Sequence, residues 1–157
     1  MNTPTSALEL RGVNQFYGSS HTLWDVDFTV PQGSRTCLMG RNGMGKTTLL
    51  RSVMGLQPVA SGSIVFGGTE LHKLPADRRA GLGIGYVPQG REIFPQLSVE
   101  ENLRLGLFAR RAPAGDALER VYAMFPVLKK MLRRRGGDLS GGQQQQLAIG
   151  RALLLEP

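Results

Sequence analysis

Cysteine, aromatic residues and long apolar runs are all scarce in this sequence of 157 residues. Its one cysteine, Cys37, excludes an intramolecular disulfide and a zinc site built on cysteine ligands. No apolar run approaches the ~18 residues that a transmembrane helix needs, and the first ten residues show no secretory signal. Glycine, in contrast, is abundant at 21 residues and follows no collagen-like period. The composition predicts a globular chain of one domain's length whose glycines serve turns or phosphate-binding loops.

Acidic residues are few relative to basic ones, 12 against 19, which gives a net charge of +7. Nine of the basic residues fall between Arg104 and Arg135, where only Asp116 and Glu119 oppose them. Such a local basic stretch is consistent with an anionic membrane surface or with nucleic acid. Because it lacks interleaved aromatic residues and a nucleic-acid motif, a solvated helical face is the simpler interpretation.

Hydrophobic periodicity predicts strands in the first half of the chain and helices in the second half. Over residues 22–30 the alternation places Trp24, Val26 and Phe28 on one face of a half-exposed antiparallel strand. Capping-box patterns begin at Ser98 and Ser140 and predict helix starts there. The other predicted strands cover residues 34–39, 63–66, 69–71 and 84–87, and the predicted helices cover about 46–54, 116–125, 127–135 and 140–155, with one more beginning at 98.

Residues 40–47 match the pattern G-x-x-x-x-G-K-[ST] and lie between a predicted strand and a predicted helix. Glycines let the backbone N–H groups of such a loop wrap around a β-phosphate at the start of a helix. Lys46 can reach the β- and γ-phosphates, and the Thr47 hydroxyl can coordinate Mg²⁺. The motif in this context predicts a site for a triphosphate and Mg²⁺. The loop comprises Gly40, Arg41, Asn42, Gly43, Met44, Gly45, Lys46, Thr47 and Thr48.

A second motif, the signature Leu139-Ser140-Gly141-Gly142-Gln143, opens the last predicted helix. Ser140 is placed as the N-cap and Gln143 at the third helical position, while the two glycines leave the helix end bare for close approach. Taken alone, this motif indicates either an anion site or an ordinary helix start.

Together the loop at 40–48, the segment Tyr86-Val87-Pro88-Gln89 and the signature resemble the ATP-binding subunit of ABC transporters. The resemblance implies an α/β fold of the P-loop NTPase class, with an antiparallel β subdomain, a parallel-sheet core and a helical subdomain. By position it implies that about residues 1–97 form the β subdomain and P-loop core, about 98–138 the helical subdomain, and 139–157 the signature and its helix.

The resemblance also implies roles for individual residues. Tyr17 would stack on the adenine, although either Tyr17 or its neighbour Phe16 could instead belong to the core. Gln89 would contact Mg²⁺ and the attacking water and sense the membrane subunit. Residues 139–143 would complete the ATP site of the opposite subunit in a head-to-tail dimer. The implied partners are a second ATP-binding subunit (identical or different), permease subunits and, indirectly, an extracytoplasmic solute-binding protein, at the cytoplasmic face of the cell membrane.

The residues around these motifs resemble the branched-chain amino acid and urea uptake group. Gln89, Arg41 and residues 15–21 look more like the urea branch, since the amino-acid branch more often has Glu and Ala at the first two positions. We therefore expect an importer ATPase for urea or a short-chain amide, with a branched-chain amino acid importer as the alternative. A nucleic-acid-associated ABC-type ATPase and a non-catalytic interaction module are alternatives from other classes, and we expect no nucleic-acid partner.

The resemblance requires hydrolytic residues that the sequence does not supply. No apolar strand ending in an Asp-Glu pair follows the signature, and His21 and His72 both lie too early to be the switch histidine. We expect both histidines on exposed loops. We further expect that the C-terminal third of the domain is missing, that the core is incomplete, and that residues 1–157 alone are aggregation-prone and do not hydrolyse ATP.

Overall fold

The structure is a computed structural model that describes residues 6–108 and 115–157. The chain divides into two units, residues 1–79 and residues 80–157. Arg110 and Arg111 of the basic stretch lie outside the described residues.

The first unit contains an antiparallel sheet of four strands: β1 (Ser6–Tyr17), β2 (Ser20–Pro31), β3 (Ser61–Phe66) and β4 (Thr69–Glu70). Their order in the sheet is β2-β1-β3-β4. Its central strand β1 buries Leu10 and Val13, and Ile64 of β3 is buried beside them. The predicted hairpin at 63–71 is confirmed, since β3 and β4 pair across Gly67-Gly68, both with positive φ. The helices of this unit are α1 (Lys46–Val53), a 3₁₀ turn (Leu71–Lys73) and α2 (Ala76–Ala80).

A bulge in β2 corrects the predicted alternation. The pairing moves from Val13↔Val26 to Gln15↔Leu23, which inserts an extra residue into β2 near Asp25, where φ is +41°. Leu23 is therefore buried, whereas Trp24 is 69% exposed. The strand itself is confirmed, but Trp24 does not share a face with Val26 and Phe28 as predicted.

Two predicted strands are absent from the described residues. Residues 34–39 and 84–87 have no strand assignment, and all strand pairs found are antiparallel, so no parallel core is formed there. Most of 34–39 is exposed, with Met39 at 84%. The physical reason is that a strand needs a neighbour to satisfy its N–H and C=O groups, and none of the described segments pairs with these two.

The second unit is helical, with a core of aliphatic side chains from four helices. Leu103, Val121, Leu128 and Leu147 are buried together, one from each helix. Gly150 allows this packing, because a Cβ there would lie 2.9 Å from Val121 Cγ1. The helices are α3 (Val99–Phe108), α4 (Ala117–Met124), α5 (Pro126–Lys130) and α6 (Gly141–Leu153), with a 3₁₀ turn at Gly136–Asp138. The helix predicted over 127–135 ends early, at Lys130, and the last helix ends at Leu153 instead of 155.

Candidate nucleotide-binding site

The glycine-rich loop at 40–45 leads directly into α1, as the sequence predicts. Gly40, Gly43 and Gly45 all have positive φ (149°, 82° and 85°), a backbone conformation that other residues rarely adopt. Gly45 is the N-cap of α1, no side chain caps the helix there, and its first turn has no acidic residue. The first N–H groups of α1 are therefore available to an anion.

Strand β2 lies against this loop at Gly45. A Cβ on Gly45 would lie 2.9 Å from Leu23 Cδ2 and 3.3 Å from the Thr22 carbonyl oxygen. Any side chain at this position would therefore force β2 and the loop apart.

The amine of Lys46 is held inside the curve of the loop. Lys46 Nζ donates hydrogen bonds to the carbonyl oxygens of Gly40 at 2.7 Å and Arg41 at 2.6 Å. The loop therefore offers several donors to a di- or triphosphate. They are the backbone N–H groups of the glycine-rich loop, the free N–H groups at the start of α1 and the Lys46 amine.

The residues also fit a Mg²⁺ ion that is bound together with the phosphates. Thr47 is exposed at the start of α1, next to Lys46, while Thr48 is buried. Among the described residues no group of three His, Cys, Asp or Glu side chains could hold a metal ion by itself. A hydroxyl ligand with phosphate oxygens is the usual way in which Mg²⁺ is bound in such sites.

Tyr17 lies at the end of β1 and is 45% exposed. Phe16 is engaged differently, because its ring stacks on His21 at 4.0 Å between centroids, and His21 in turn stacks on Trp24 at 3.7 Å. Among the described residues, Tyr17 has no aromatic partner. We therefore expect Tyr17, and not Phe16, to be available for stacking on an adenine.

Neither histidine lies on an exposed loop, contrary to expectation. His21 is part of β2, and its Nε2 is 2.9 Å from Asn14 Oδ1. His72 is part of the 3₁₀ turn, and the Ile64 N–H donates to its Nδ1 at 3.2 Å.

The signature motif starts α6 with the predicted capping box. The Gln143 N–H donates to Ser140 Oγ at 3.4 Å, and the Ser140 N–H donates to Gln143 Oε1 at 2.9 Å. Gly141 and Gly142 are exposed, and a Cβ on Gly142 would meet nothing within 4 Å. Leu139 is only 5% exposed and belongs to the core. We expect Leu139 to anchor the motif while Ser140 and the glycines face a ligand.

Gln89 is exposed in a segment, residues 84–98, that forms neither helix nor strand. Immediately after it the structure places a contact that the sequence did not predict, between Arg91 and the signature helix. Arg91 Nη1 donates to Gln144 Oε1 at 3.3 Å, and a Cβ on Gly141 would lie 3.3 Å from Arg91 Nη2. The second unit therefore brings the segment that follows Gln89 onto the start of α6.

Two further residues of this region were missed by sequence reasoning. Asn102 of α3 is fully buried, and Arg151 of α6 donates through Nη2 to the Glu92 carbonyl oxygen at 2.8 Å. Burial lowers the pKa of Arg151, and the Glu92 carboxylate partly offsets that shift. Arg151 also lines a cavity of about 380 Å³ with Tyr86, Leu105 and Leu155. No local pattern identifies such residues, because their partners lie far away in the sequence.

The basic stretch behaves as a solvated surface. Its described members are all exposed. Arg104 pairs with Glu100 at 2.7 Å, and Lys129 pairs with Glu119 at 2.8 Å. Exposed ion pairs of this kind contribute little to stability, and the arrangement matches the simpler interpretation of the stretch.

The loop at 40–48, with Lys46 and Thr47 at a helix start, defines a P-loop nucleotide-binding protein. The comparison with known families refines this class. The sequence profile of the ABC transporter family matches residues 23–157, and the chain belongs to that family. Among the described residues, no helix has the length and apolarity that crossing a membrane requires.

Individual relatives agree with this assignment. The high-affinity branched-chain amino acid transport ATP-binding protein BraG of Pseudomonas aeruginosa is 42% identical over 146 residues, which cover 92% of this chain and 63% of BraG. The probable branched-chain amino acid transport ATP-binding protein LivF of Archaeoglobus fulgidus is 39% identical over 143 residues, which cover 90% of this chain and 61% of LivF. The chain thus spans about three-fifths of the length of these two relatives.

A solved structure shares the fold. A dimeric ATP-binding cassette in a post-hydrolysis state, bound to ADP and Pi, matches with a TM-score of 0.83 and 28% identity over 96% of this chain and 70% of that chain. The predicted fold class, an ABC ATPase cassette, is confirmed, and the described residues supply its antiparallel sheet and its helices.

Proposed function

We propose that this chain is part of the ATP-binding subunit of an ABC importer, which binds and hydrolyses ATP to drive uptake. The observation that carries the proposal is the loop at 40–45, whose glycines, uncapped helix start and neighbouring Lys46 amine suit a phosphate group. Membership of the ABC transporter family supports the same conclusion.

Each candidate residue has a distinct task in this proposal. The loop N–H groups and Lys46 bind the β- and γ-phosphates, and Thr47 contributes a hydroxyl ligand to Mg²⁺. Tyr17 stacks on the adenine, and Gln89 orients the attacking water. MgATP supplies the phosphoanhydride bond whose hydrolysis drives transport.

The signature motif supports a dimer. Ser140, Gly141 and Gly142 form an exposed helix start with no acidic residue in its first turn, which suits a phosphate brought by another subunit. We propose that residues 139–143 contact ATP held by the P-loop of a second ATP-binding subunit. The dimer would bind permease subunits at the cytoplasmic face of the membrane, and a solute-binding protein would deliver the cargo to the permease.

Branched-chain amino acids are the cargo that we propose. The two relatives described above are both branched-chain amino acid transport ATP-binding proteins, and this supports the alternative from the sequence analysis over urea or a short-chain amide. Uptake of labelled leucine and of labelled urea by membranes containing the full transporter tests the choice. Uptake of urea but not of leucine would overturn it.

The nucleotide site is tested by Lys46→Ala in the full-length protein, with Lys73→Ala as the control. Lys73 is an exposed lysine whose ion pair with Glu70 lies on the surface. Loss of the charged contact to the phosphates weakens binding by about 10-fold or more, since such a hydrogen bond contributes about 1.5–3 kcal/mol. A fluorescent ATP analogue measures the affinity. If Lys46→Ala and Lys73→Ala bind ATP equally well, the P-loop assignment is wrong.

A further inference from the structure

A strained turn follows Gln89. Gly90, Arg91 and Glu92 have consecutive positive φ values of 87°, 72° and 45°. The Glu92 N–H donates to the Gly90 carbonyl oxygen at 2.9 Å, which closes a three-residue γ-turn with Arg91 at its centre. Two of these residues have side chains that disfavour this conformation, so the turn persists only if surrounding contacts hold it.

The signature helix α6 supplies such contacts at both strained residues. Arg151 donates to the Glu92 carbonyl oxygen at 2.8 Å, and its guanidinium carbon lies 5.3 Å from the centroid of the Phe94 ring. Gln144, one turn into the helix, accepts a hydrogen bond from Arg91 at 3.3 Å. These contacts join segments 53 and 59 residues apart in the sequence.

The chain is fixed again just beyond the turn. The Phe94 N–H donates to Asn102 Oδ1 at 2.9 Å, and Asn102 Nδ2 donates to the Phe94 carbonyl oxygen at 2.9 Å. Since Asn102 is fully buried on α3, Phe94 is a firm anchor. Between this anchor and Gln89, Arg151 holds the carbonyl of the last strained residue. The Arg151 Nη1 atom is buried and has no hydrogen-bond partner in the described part of the chain. Burial of an unpaired donor costs free energy, and the structure keeps Arg151 at this position despite that cost.

We propose that Arg151 is a positioning residue, which holds the turn at 90–92 in its left-handed conformation and thereby fixes Gln89 relative to the signature helix. This inference rests on the proposed function, because the role of Gln89 in ATP hydrolysis is part of that proposal. We call the hydrogen bond from Arg151 to the Glu92 carbonyl oxygen the clamp. When it is lost, the turn relaxes to negative φ and Gln89 moves away from the position in which it supports hydrolysis. ATP binding, which depends on the loop at 40–48, is unaffected.

The first test compares Arg151→Met with Arg104→Met in the full-length protein. Arg104 is an exposed arginine paired with Glu100, so it controls for the loss of a surface guanidinium. Arg151→Met lowers kcat for ATP about tenfold, as expected for loss of a hydrogen bond from a charged donor, and leaves KM within about twofold. Amide hydrogen exchange in residues 88–94 rises about tenfold, while exchange in α1 is unchanged. Arg104→Met changes none of these quantities.

Two double variants separate positioning from simple loss of structure. Glycine adopts positive φ without strain, so adding Glu92→Gly to Arg151→Met restores most of the kcat and of the exchange protection. In a Gln89→Ala background, Arg151→Met lowers kcat no further, because the two residues act through one step. A merely structural arginine would give additive losses and no rescue by glycine.

The outcomes distinguish failure of this inference from failure of the proposed function. If the unmodified protein neither binds nor hydrolyses ATP, the proposed function is wrong, and hydrogen exchange still tests the clamp. If it hydrolyses ATP but Arg151→Met leaves exchange at 88–94 unchanged, the clamp is refuted. Should Arg151→Met fail to fold, Arg151→Gln, which stays polar but lacks the charged guanidinium that donates to the Glu92 carbonyl oxygen, takes its place. Wild-type exchange and kcat in that variant would equally refute the proposal.

Discussion

Replacement of Asn102 by leucine isolates the cost of losing one buried side-chain amide. Its Oδ1 accepts from the Phe94 N–H, and its Nδ2 donates to the carbonyl oxygens of Phe94 and Ser98, each at 2.9 Å, with a longer contact of 3.2 Å to the Leu97 carbonyl oxygen. Because the NH2 group has two hydrogens, these contacts amount to about three hydrogen bonds. Leucine has a similar volume and makes none of them, so they are lost without a large cavity. At about 1 kcal/mol each, Asn102→Leu lowers the free energy of unfolding by ~3 kcal/mol.

Denaturant unfolding of the full-length protein measures this loss. The control is Gln145→Leu, which makes the same type of change at an exposed position of α6. We expect the control to change the free energy of unfolding by less than about 0.5 kcal/mol. An Asn102→Leu variant as stable as this control would refute the argument, since it would mean that the loop at 94–98 is held by other contacts.

Three further predictions concern the loop, Gln89 and the start of α3. Gly45→Ala weakens binding of an ATP analogue more than Gly67→Ala does, because both have positive φ but only Gly45 is crowded by Leu23; equal affinities would contradict this. Gln89→Ala leaves the affinity for ATP nearly unchanged and lowers kcat; a proportional fall in both would leave Gln89 as a support of the pocket. The Ser98 N–H and hydroxyl lower the pKa of Glu101, so its contribution to stability is present above its unfolded pKa and is lost as pH falls through the folded value. Between pH 7 and pH 3 the melting temperature therefore falls less for Glu101→Gln than for the unmodified protein. Identical pH profiles of the two proteins would refute the contribution of Glu101.

The helix starts and the glycine-rich loop before α1 could be predicted from the sequence because their signals are local. Ser140 and Gln143 lie three residues apart and bond each other, and the glycines before Lys46 determine the loop conformation by themselves. The same holds for Ser98 at the start of α3. In each of these cases, the partners that satisfy the backbone lie within one turn of the helix.

Strand prediction failed where the formation of a strand depends on whether another segment of the chain pairs with it. Residues 34–39 have the apolar composition of a strand but pair with no described segment, whereas β1 was not predicted, although it is the central strand of the sheet. The exposure of Trp24 depends on a bulge set by the pairing of β2 with β1. Asn102 and Arg151 were missed for a related reason. Both donate hydrogen bonds to backbone carbonyl oxygens of the loop that contains Glu92 and Phe94, and this loop has no hydrophobic periodicity that would predict its position.

The exposed indole of Trp24 gives this chain an optical reporter close to its phosphate loop. It is the only tryptophan in the sequence, so its emission needs no deconvolution. The ring stacks on His21, and its Nε1–H donates to the His21 carbonyl oxygen at 3.2 Å. Two residues before it, the Thr22 carbonyl oxygen lies against Gly45 of the loop. Because a shift of the loop on nucleotide binding would be passed through this short stretch of β2, steady-state fluorescence of the unlabelled protein should follow occupancy directly.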